Sequence, residues 1–228
     1  VTPVKYPLAE RFHEVQGEGQ FVGTRMAFVR MVGCSVGQKV CTACDTDFDR
    51  MRPELGGGTY TADELVAYAK PVGRMCITGG EPLDRDIRPL LLAATAAGVT
   101  CHVETSGTQL PAWLTAGQWG SGNRVHYVDG KLVRMWLCVS PKPGYTNEMV
   151  VEHADEVKVI VGGLGDGPGW PTVEQAAAWA NLGQLVYIQP RNHTKAVNED
   201  NLAAVLALTE KYPRLRVSCQ LHKFLGVR

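Results

Sequence analysis

The sequence predicts an α/β fold organised around a parallel sheet, on three observations. Apolar runs of strand length alternate with helical patterns, the helices open on capping residues, and unusual polar residues gather where strands end. Residues 26–32 read as a buried strand that runs directly into a group of cysteines. Thr61-Ala-Asp-Glu64 is a capping box, in which threonine and glutamate satisfy each other's backbone donors, and it opens a helix through Lys70. Residues 74–78 form a strand, and Ile87, Leu90, Leu91 and Ala94 recur at the spacing of one helix face. Residues 99–104, 137–140 and 156–161 read as further strands. Thr172 and Gln175 open a helix through Asn181, residues 185–189 form a strand, and Asn198 caps a helix with the apolar face Leu202, Val205, Leu206 and Thr209. Residues 214–218 add a short last strand, and loops are expected at 56–58, 117–123 and 162–169.

Strands that alternate with helices imply right-handed βαβ units. Periodicity does not choose between an open, doubly wound sheet and one curved into a full or partial barrel. In both, ligands bind at the carboxyl ends of the strands. Thr78-Gly-Gly-Glu81, Glu104-Thr-Ser-Gly107, Ser140-Pro-Lys142 and Gln189-Pro190 all stand at such ends, so these four clusters are expected to converge.

The 228 residues fit one domain spanning 1–228, with 45% hydrophobic and 20% charged residues, as in a globular protein. Basic and acidic residues balance at 23 each, which gives no electrostatic reason to expect capture of nucleic acid or of a membrane surface. No apolar run is long enough to span a bilayer, and the first residues lack the layout of a signal peptide, so a cytoplasmic location is expected.

Cysteine occurs seven times, an odd count that argues against a secreted disulfide scaffold. Cys76, Cys101 and Cys138 sit inside apolar runs and read as small buried hydrophobes. Cys34-x6-Cys41-x2-Cys44 is different: three thiolates in one glycine-flanked loop after a strand. Iron–sulfur clusters normally take four thiolates, so three leave one iron open to an outside ligand. A closed zinc site needs a fourth ligand. Spacing alone leaves iron–sulfur, zinc and simple burial open.

The rest of the chain supplies a resemblance. Three clustered cysteines followed by Thr78-Gly-Gly-Glu-Pro82 resemble the radical S-adenosylmethionine superfamily. His13-Glu-Val-Gln16-Gly-Glu18-Gly, Phe28-Val-Arg30-Met-Val-Gly-Cys34, Cys44-Asp45-Thr46, Glu104-Thr-Ser-Gly-Thr, Ser140-Pro-Lys-Pro, Glu156-Val-Lys-Val-Ile-Val, Ile188-Gln-Pro190 and Gln220-Leu-His-Lys-Phe-Leu-Gly-Val resemble, in order, the 7-carboxy-7-deazaguanine synthase family. Three departures stand out. The first cysteine gap is six residues where three is usual, Ala43 replaces an aromatic residue that leans on the adenine, and Ser106 replaces an asparagine.

The resemblance implies a six-unit partial (β/α) barrel with trimmed helices, to which the weak helical pattern of 125–138 is suited. It implies conversion of 6-carboxy-5,6,7,8-tetrahydropterin to 7-carboxy-7-deazaguanine with loss of ammonia, in 7-deazaguanine (queuosine-type) biosynthesis. The implied cofactors are a [4Fe–4S] cluster on Cys34, Cys41 and Cys44, S-adenosylmethionine, and Mg2+ held through Thr46. Gln16, Glu18 and Arg30 are implied substrate residues, since amides and carboxylates suit the edges of a pterin and a guanidinium suits its carboxylate. Gly79, Gly80, Glu81, Glu104, Ser106, Ser140, Lys142 and Gln189 are implied S-adenosylmethionine contacts. An electron donor such as flavodoxin or ferredoxin and a homodimer are implied as well. An activase that places a glycyl radical on a protein partner, or a metal-stabilised interaction protein without turnover, are the alternatives.

Overall fold

The computed structural model describes residues 3–41, 44, 47–119, 123–162, 167–192 and 196–226. Strands β1 (Lys5–Val15), β2 (Arg25–Met31), β3 (Gly58–Thr61), β4 (Arg74–Gly79), β5 (Thr100–Thr105), β9 (Met135–Val139), β10 (Glu156–Val161), β11 (Val186–Pro190) and β12 (Arg216–Val217) form a nine-stranded sheet in the order β12-β11-β10-β9-β5-β4-β2-β1-β3. From β2 to β12 every neighbour is parallel; only β1 runs antiparallel, to β2 on one side and β3 on the other. A separate three-stranded antiparallel sheet comprises β6 (Leu114–Trp119), β7 (Asn123–Val128) and β8 (Lys131–Val133).

The helices are α1 (Gly37–Val40), α2 (Ala62–Ala69), α3 (Arg88–Ala96), α4 (Val173–Asn181), α5 (Glu199–Lys211) and α6 (Leu221–Leu225). The capping box of Thr61 and Glu64 starts α2, Thr172 accepts from the Gln175 backbone at the start of α4, and Asn198 does the same for Asn201 in α5. These caps fix where each helix leaves the strand before it.

Side-chain alternation divides the parallel sheet into two unlike faces. Val29, Met75, Ile77, Cys101, Val103, Leu137, Val139, Val157, Val159, Val186 and Ile188 belong to the hydrophobic core that the helices cover. The opposite row is polar. It runs through Arg30, Thr78, His102, Glu104, Cys138, Glu156, Lys158 and Gln189, and the register pairs Arg30 with Thr78, Glu104 with Cys138, Cys138 with Glu156, and Ile160 with Gln189. Several of its members, Glu156 and Lys158 among them, are buried. Charged groups enter an interior only in company, so that row locates the site.

Two expectations need correction, at residues 117–123 and at Leu206. The 117–123 segment is not a plain loop: Gly117 lies in β6 and Asn123 in β7, while 120–122 fall outside the described residues. Residues 114–133 form a three-stranded meander where a βαβ unit would place its helix, and the weak helical pattern of 125–138 has that cause. Leu206 is 50% exposed, because the buried stripe of α5 runs through Val205 and Leu208 towards Tyr212, one residue's rotation away. Cys76, Cys101 and Cys138 are buried as expected.

Candidate functional site

At the end of β2 the chain turns sharply into the cysteine loop. The Gly33 N–H donates to the Phe48 carbonyl at 3.0 Å, and Ser35 donates from backbone and hydroxyl to Asp84 at 2.7 and 2.6 Å. Cys41 N–H returns to the Gly37 carbonyl and Cys44 N–H to the Cys41 carbonyl, which coils the loop back on itself. The glycine pair at the end of β4 lies against this turn. A β-carbon on Gly80 would fall 1.6 Å from the Gly33 carbonyl oxygen and 2.9 Å from the Cys34 β-carbon; one on Gly79, at φ +127°, would fall 2.3 Å from the Met31 nitrogen. Only glycine lets the two strand ends approach this closely.

Burial pushes the Cys41 thiol up, the Lys142 ammonium draws it back, and Cys44 and Cys34 push it up again. Lys142 is held in place by the Ser140 carbonyl at 2.8 Å and the Ser140 hydroxyl at 2.7 Å. Three soft thiol donors in one coiled loop, with backbone pressed close beneath them, suit an iron–sulfur cluster with an open position. Thr46, Asp45 and Ala43 lie outside the described residues.

Glu81 is buried, and its carboxylate accepts from the Leu83 N–H at 3.0 Å, the Thr105 hydroxyl at 2.7 Å, the Ser106 N–H at 2.8 Å and the Ser106 hydroxyl. Ser106 therefore serves, through its hydroxyl and backbone, to tie the end of β5 to the end of β4. Ser140 N–H donates to the Thr105 carbonyl and Lys142 N–H to the Ser106 carbonyl, so the first three strand-end clusters are knitted together as expected.

The segment between β1 and β2 carries Gln16 and Glu18 onto the polar row. The Gln16 amide donates to Glu104 Oε1 at 3.2 Å, and the Glu18 N–H donates to Gln16 Oε1 at 3.2 Å. Lys158 Nζ stands between the carboxylates, 2.6 Å from Glu18 Oε2 and 2.7 Å from Glu104 Oε2. Glu18 Oε1 accepts from the amides of Gln189 and Gln220 at 3.1 and 2.9 Å, which joins the fourth strand-end cluster to the others. The rest of this segment seals the row from below: Phe21 meets Trp136 and His102 edge-on at 4.9 and 5.5 Å, with the Arg74 guanidinium 4.4 Å from its ring centroid. The Gln20 N–H donates to Glu156 Oε2 at 3.0 Å.

Burial would push the Glu104 carboxyl up, but the Lys158 ammonium and the His102 ring, 3.1 Å away, outweigh it and hold it well below the usual range. Glu18 is also shifted down, its burial overcome by Lys158 against the opposing charge of Glu104. Burial disfavours the Lys158 charge, yet Cys138, Glu104, Glu18 and Glu156 around it raise its value. Glu156 goes the other way: burial dominates and its carboxyl is raised.

Arg30 lies on the same polar face, with Thr78 as its strand partner. Burial drives the Cys76 thiol of that face well up. The Arg30 Nε donates to Glu10 Oε1 at 2.8 Å, and Glu10 is also paired with Arg52 at 3.2 Å, so the guanidinium is anchored on its strand side. His13 faces elsewhere and stacks on Tyr68 of α2 at 4.3 Å.

Lys158, Gln220 and His102 are participants that the sequence reading left without a role. Lys158 carried a signal: Glu156 and Lys158 are charged at alternate positions of an otherwise apolar strand, which puts both on one face. His102, Glu104 and Cys138 offer donor atoms within 4.8 Å of one another. The Lys158 ammonium already supplies positive charge at that corner.

Comparison with known proteins gives the arrangement its context. No family model matches the chain. A 7-carboxy-7-deazaguanine synthase of Synechocystis sp. is 34% identical, with 99% of this chain and 95% of the relative covered. Its counterpart in Flavobacterium psychrophilum is 31% identical, over 97% of this chain and 92% of the relative. A third, from Escherichia coli K12, is 27% identical over 98% of this chain and the whole of the relative. The fold is similar to that in the crystal structure of QueE from Escherichia coli, with a TM-score of 0.66 at 24% identity over 96% of this chain and 95% of that one. On near-full-length identity of this level, the chain belongs to the 7-carboxy-7-deazaguanine synthase family of radical S-adenosylmethionine enzymes.

Proposed function

We propose that this chain converts 6-carboxy-5,6,7,8-tetrahydropterin to 7-carboxy-7-deazaguanine with release of ammonia, in a single domain that works in the cytoplasm. The observation that carries this reading is the junction in which Gln16, Glu18, Glu104 and Gln189 meet beside the strand ends that support the cysteine loop. A pterin displays amide and amino edges and, here, a carboxylate; Gln16, Glu18 and Arg30 match these in kind.

Cys34, Cys41 and Cys44 would hold the [4Fe–4S] cluster, which together with S-adenosylmethionine supplies the one-electron chemistry that starts hydrogen removal from the pterin. The residues of the chain bind and orient. The ends of β4, β5 and β9, knitted through Glu81, Thr105 and Ser106, give S-adenosylmethionine a rigid floor. Glu104 would receive its ribose hydroxyls, and Ser140, Lys142 and Gln189 would supply further contacts. Gly79 and Gly80 hold the backbone of β4 close to the cysteine turn, where main-chain groups would receive the methionyl end of the ligand. Phe21, Trp136 and His102 pack edge-on and close the far side of the polar row.

Several finer parts of this reading are expectations of the family. Thr46 would contribute an oxygen to Mg2+, which takes few protein ligands and completes its shell with water and substrate. A flavodoxin or ferredoxin would deliver the electron, and the enzyme would act as a homodimer. Residues of five neighbouring strands, Arg74, Glu104, Trp136, Glu156 and Gln189, reach a single segment, residues 16–21, which supports curvature of the sheet into a partial (β/α)6 barrel.

The test is anaerobic turnover. Protein reconstituted with iron and sulfide is given S-adenosylmethionine, a strong reductant, Mg2+ and the tetrahydropterin, and mass spectrometry looks for 7-carboxy-7-deazaguanine. Its formation supports the reading; deoxyadenosine without it would reject the substrate.

A further inference from the structure

Glu18 and Glu104 approach from different parts of the fold, one on the segment after β1 and the other at the end of β5. Their facing oxygens are held by one ammonium. That ammonium arrives from β10, whose flanking residues Val157 and Val159 are locked in the core, so Lys158 projects from a fixed point. An ammonium has three donors and no acceptor, and two of the three are spent on these carboxylates. Without it, two half-buried carboxylates would confront each other with the buried Glu156 close by, and repulsion would disfavour the charge on both.

We propose that Lys158 is the positioning residue that couples the two ligand sites: by holding Glu18 and Glu104 on one ammonium, it makes the pterin bind more tightly once S-adenosylmethionine is in place, and the reverse. The inference rests on the assignment of Glu18 to the pterin and Glu104 to S-adenosylmethionine. The physical basis is shared ordering. A ligand that grips either carboxylate fixes the Lys158 side chain and with it the other carboxylate, so the second ligand meets a site already arranged. Gln16 provides a weaker parallel route, since its amide touches Glu104 while its carbonyl oxygen accepts from the Glu18 backbone. Reciprocity of the two effects follows from linkage.

The probe is 6-carboxypterin, a stable fluorescent carboxylated pterin. Its affinity for anaerobic, cluster-reconstituted enzyme is measured by fluorescence anisotropy without and with saturating S-adenosylmethionine, in wild type, Lys158→Met and Lys158→Arg. In wild type the affinity rises on order of tenfold with S-adenosylmethionine, within the range of about 5- to 150-fold usual for coupled sites. In Lys158→Met the ratio falls towards one, and Lys158→Arg, which keeps the charge, restores part of it. A Lys158→Met protein with the wild-type ratio overturns the proposal and leaves the enzymatic reading intact. Wild type that binds the pterin equally with and without S-adenosylmethionine overturns it as well. Wild type with no affinity for the pterin at all rejects the substrate assignment itself. If Lys158→Met does not fold, Glu104→Gln/Lys158→Met removes one carboxylate together with the ammonium, and a retained ratio there counts against the proposal in the same way.

Discussion

Gly19 faces Glu156 so closely that a β-carbon on the glycine would fall 1.7 Å from Glu156 Oε1. The glycine has φ +64°, and the Gln20 N–H beside it donates to the other oxygen of the same carboxylate. Glu156 is thus the seat on which the segment between β1 and β2 rests.

Replacement of Gly19 with Ala therefore adds both backbone strain and a clash. The expected cost is about 1–3 kcal/mol of stability, read by urea denaturation, together with weaker pterin binding. An alanine variant with wild-type stability and affinity would show that the segment does not sit on Glu156.

Gly80→Ala tests the contact between the β4 end and the cysteine turn. Its new methyl must displace the Gly33 carbonyl or Cys34, so reconstituted iron per chain should fall well below that of wild type. Full iron content would remove the packing role assigned to this glycine.

The cysteines should separate into two classes. Cys34→Ala, Cys41→Ala and Cys44→Ala each lose the visible absorbance of the cluster and all S-adenosylmethionine cleavage. Cys101→Ala, altered in the core behind the sheet, keeps both and costs on the order of 1 kcal/mol. Cleavage retained in any of the first three would refute its assignment as a ligand.

Arg30→Ala should assemble a normal cluster, yet raise the KM for the tetrahydropterin by roughly 10- to 100-fold, the loss of a charge-assisted hydrogen bond. Unchanged kinetics would take Arg30 out of the site.

The ionic junction predicts a stability plateau in pH. Glu18 and Glu104 titrate lower in the folded chain than in the unfolded one, so the unfolded chain takes up protons first on acidification. Their contribution is complete above the ordinary glutamate value of about 4.3 and is lost as pH falls through the lower folded values. Lys158 behaves oppositely: its contribution is complete below about 10.4 and is lost as pH rises through its raised folded value. Urea unfolding between pH 3 and pH 7 should show a shallower acid limb for Glu104→Gln than for wild type. Equal slopes would mean that Glu104 is not the depressed group.

The legible part of this fold is the part buried on both faces. Strands β2, β4, β5, β9, β10 and β11 announce themselves because parallel strands between covered faces are written as apolar runs. Strand β1 was hidden by Pro7 and by the charged sequence of residues 10–14, and β6 to β8 by a glycine and several polar residues on a sheet with open surface. Such strands have no continuous apolar signal. The candidate site follows the same rule. Glu104 and Gln189 stand at recognisable strand ends, whereas Lys158 lies mid-strand, and its meaning depends on Glu18, which sits 140 positions away in the chain. No local pattern encodes that distance.

The clamp on the segment between β1 and β2 also sets an order of events during synthesis. Gly19 N–H donates to Ser218, Glu18 accepts from Gln220, and the Leu221 N–H donates to the Gly17 carbonyl, so the partners are separated by about two hundred positions. A nascent chain that has already released the cysteine loop and all six long parallel strands from the ribosome still has Glu18 without Gln220. The cysteine loop is therefore free of the ribosome before the segment that carries Glu18 has its C-terminal partners, and the proposed pterin site closes only when residues 218–221 have emerged.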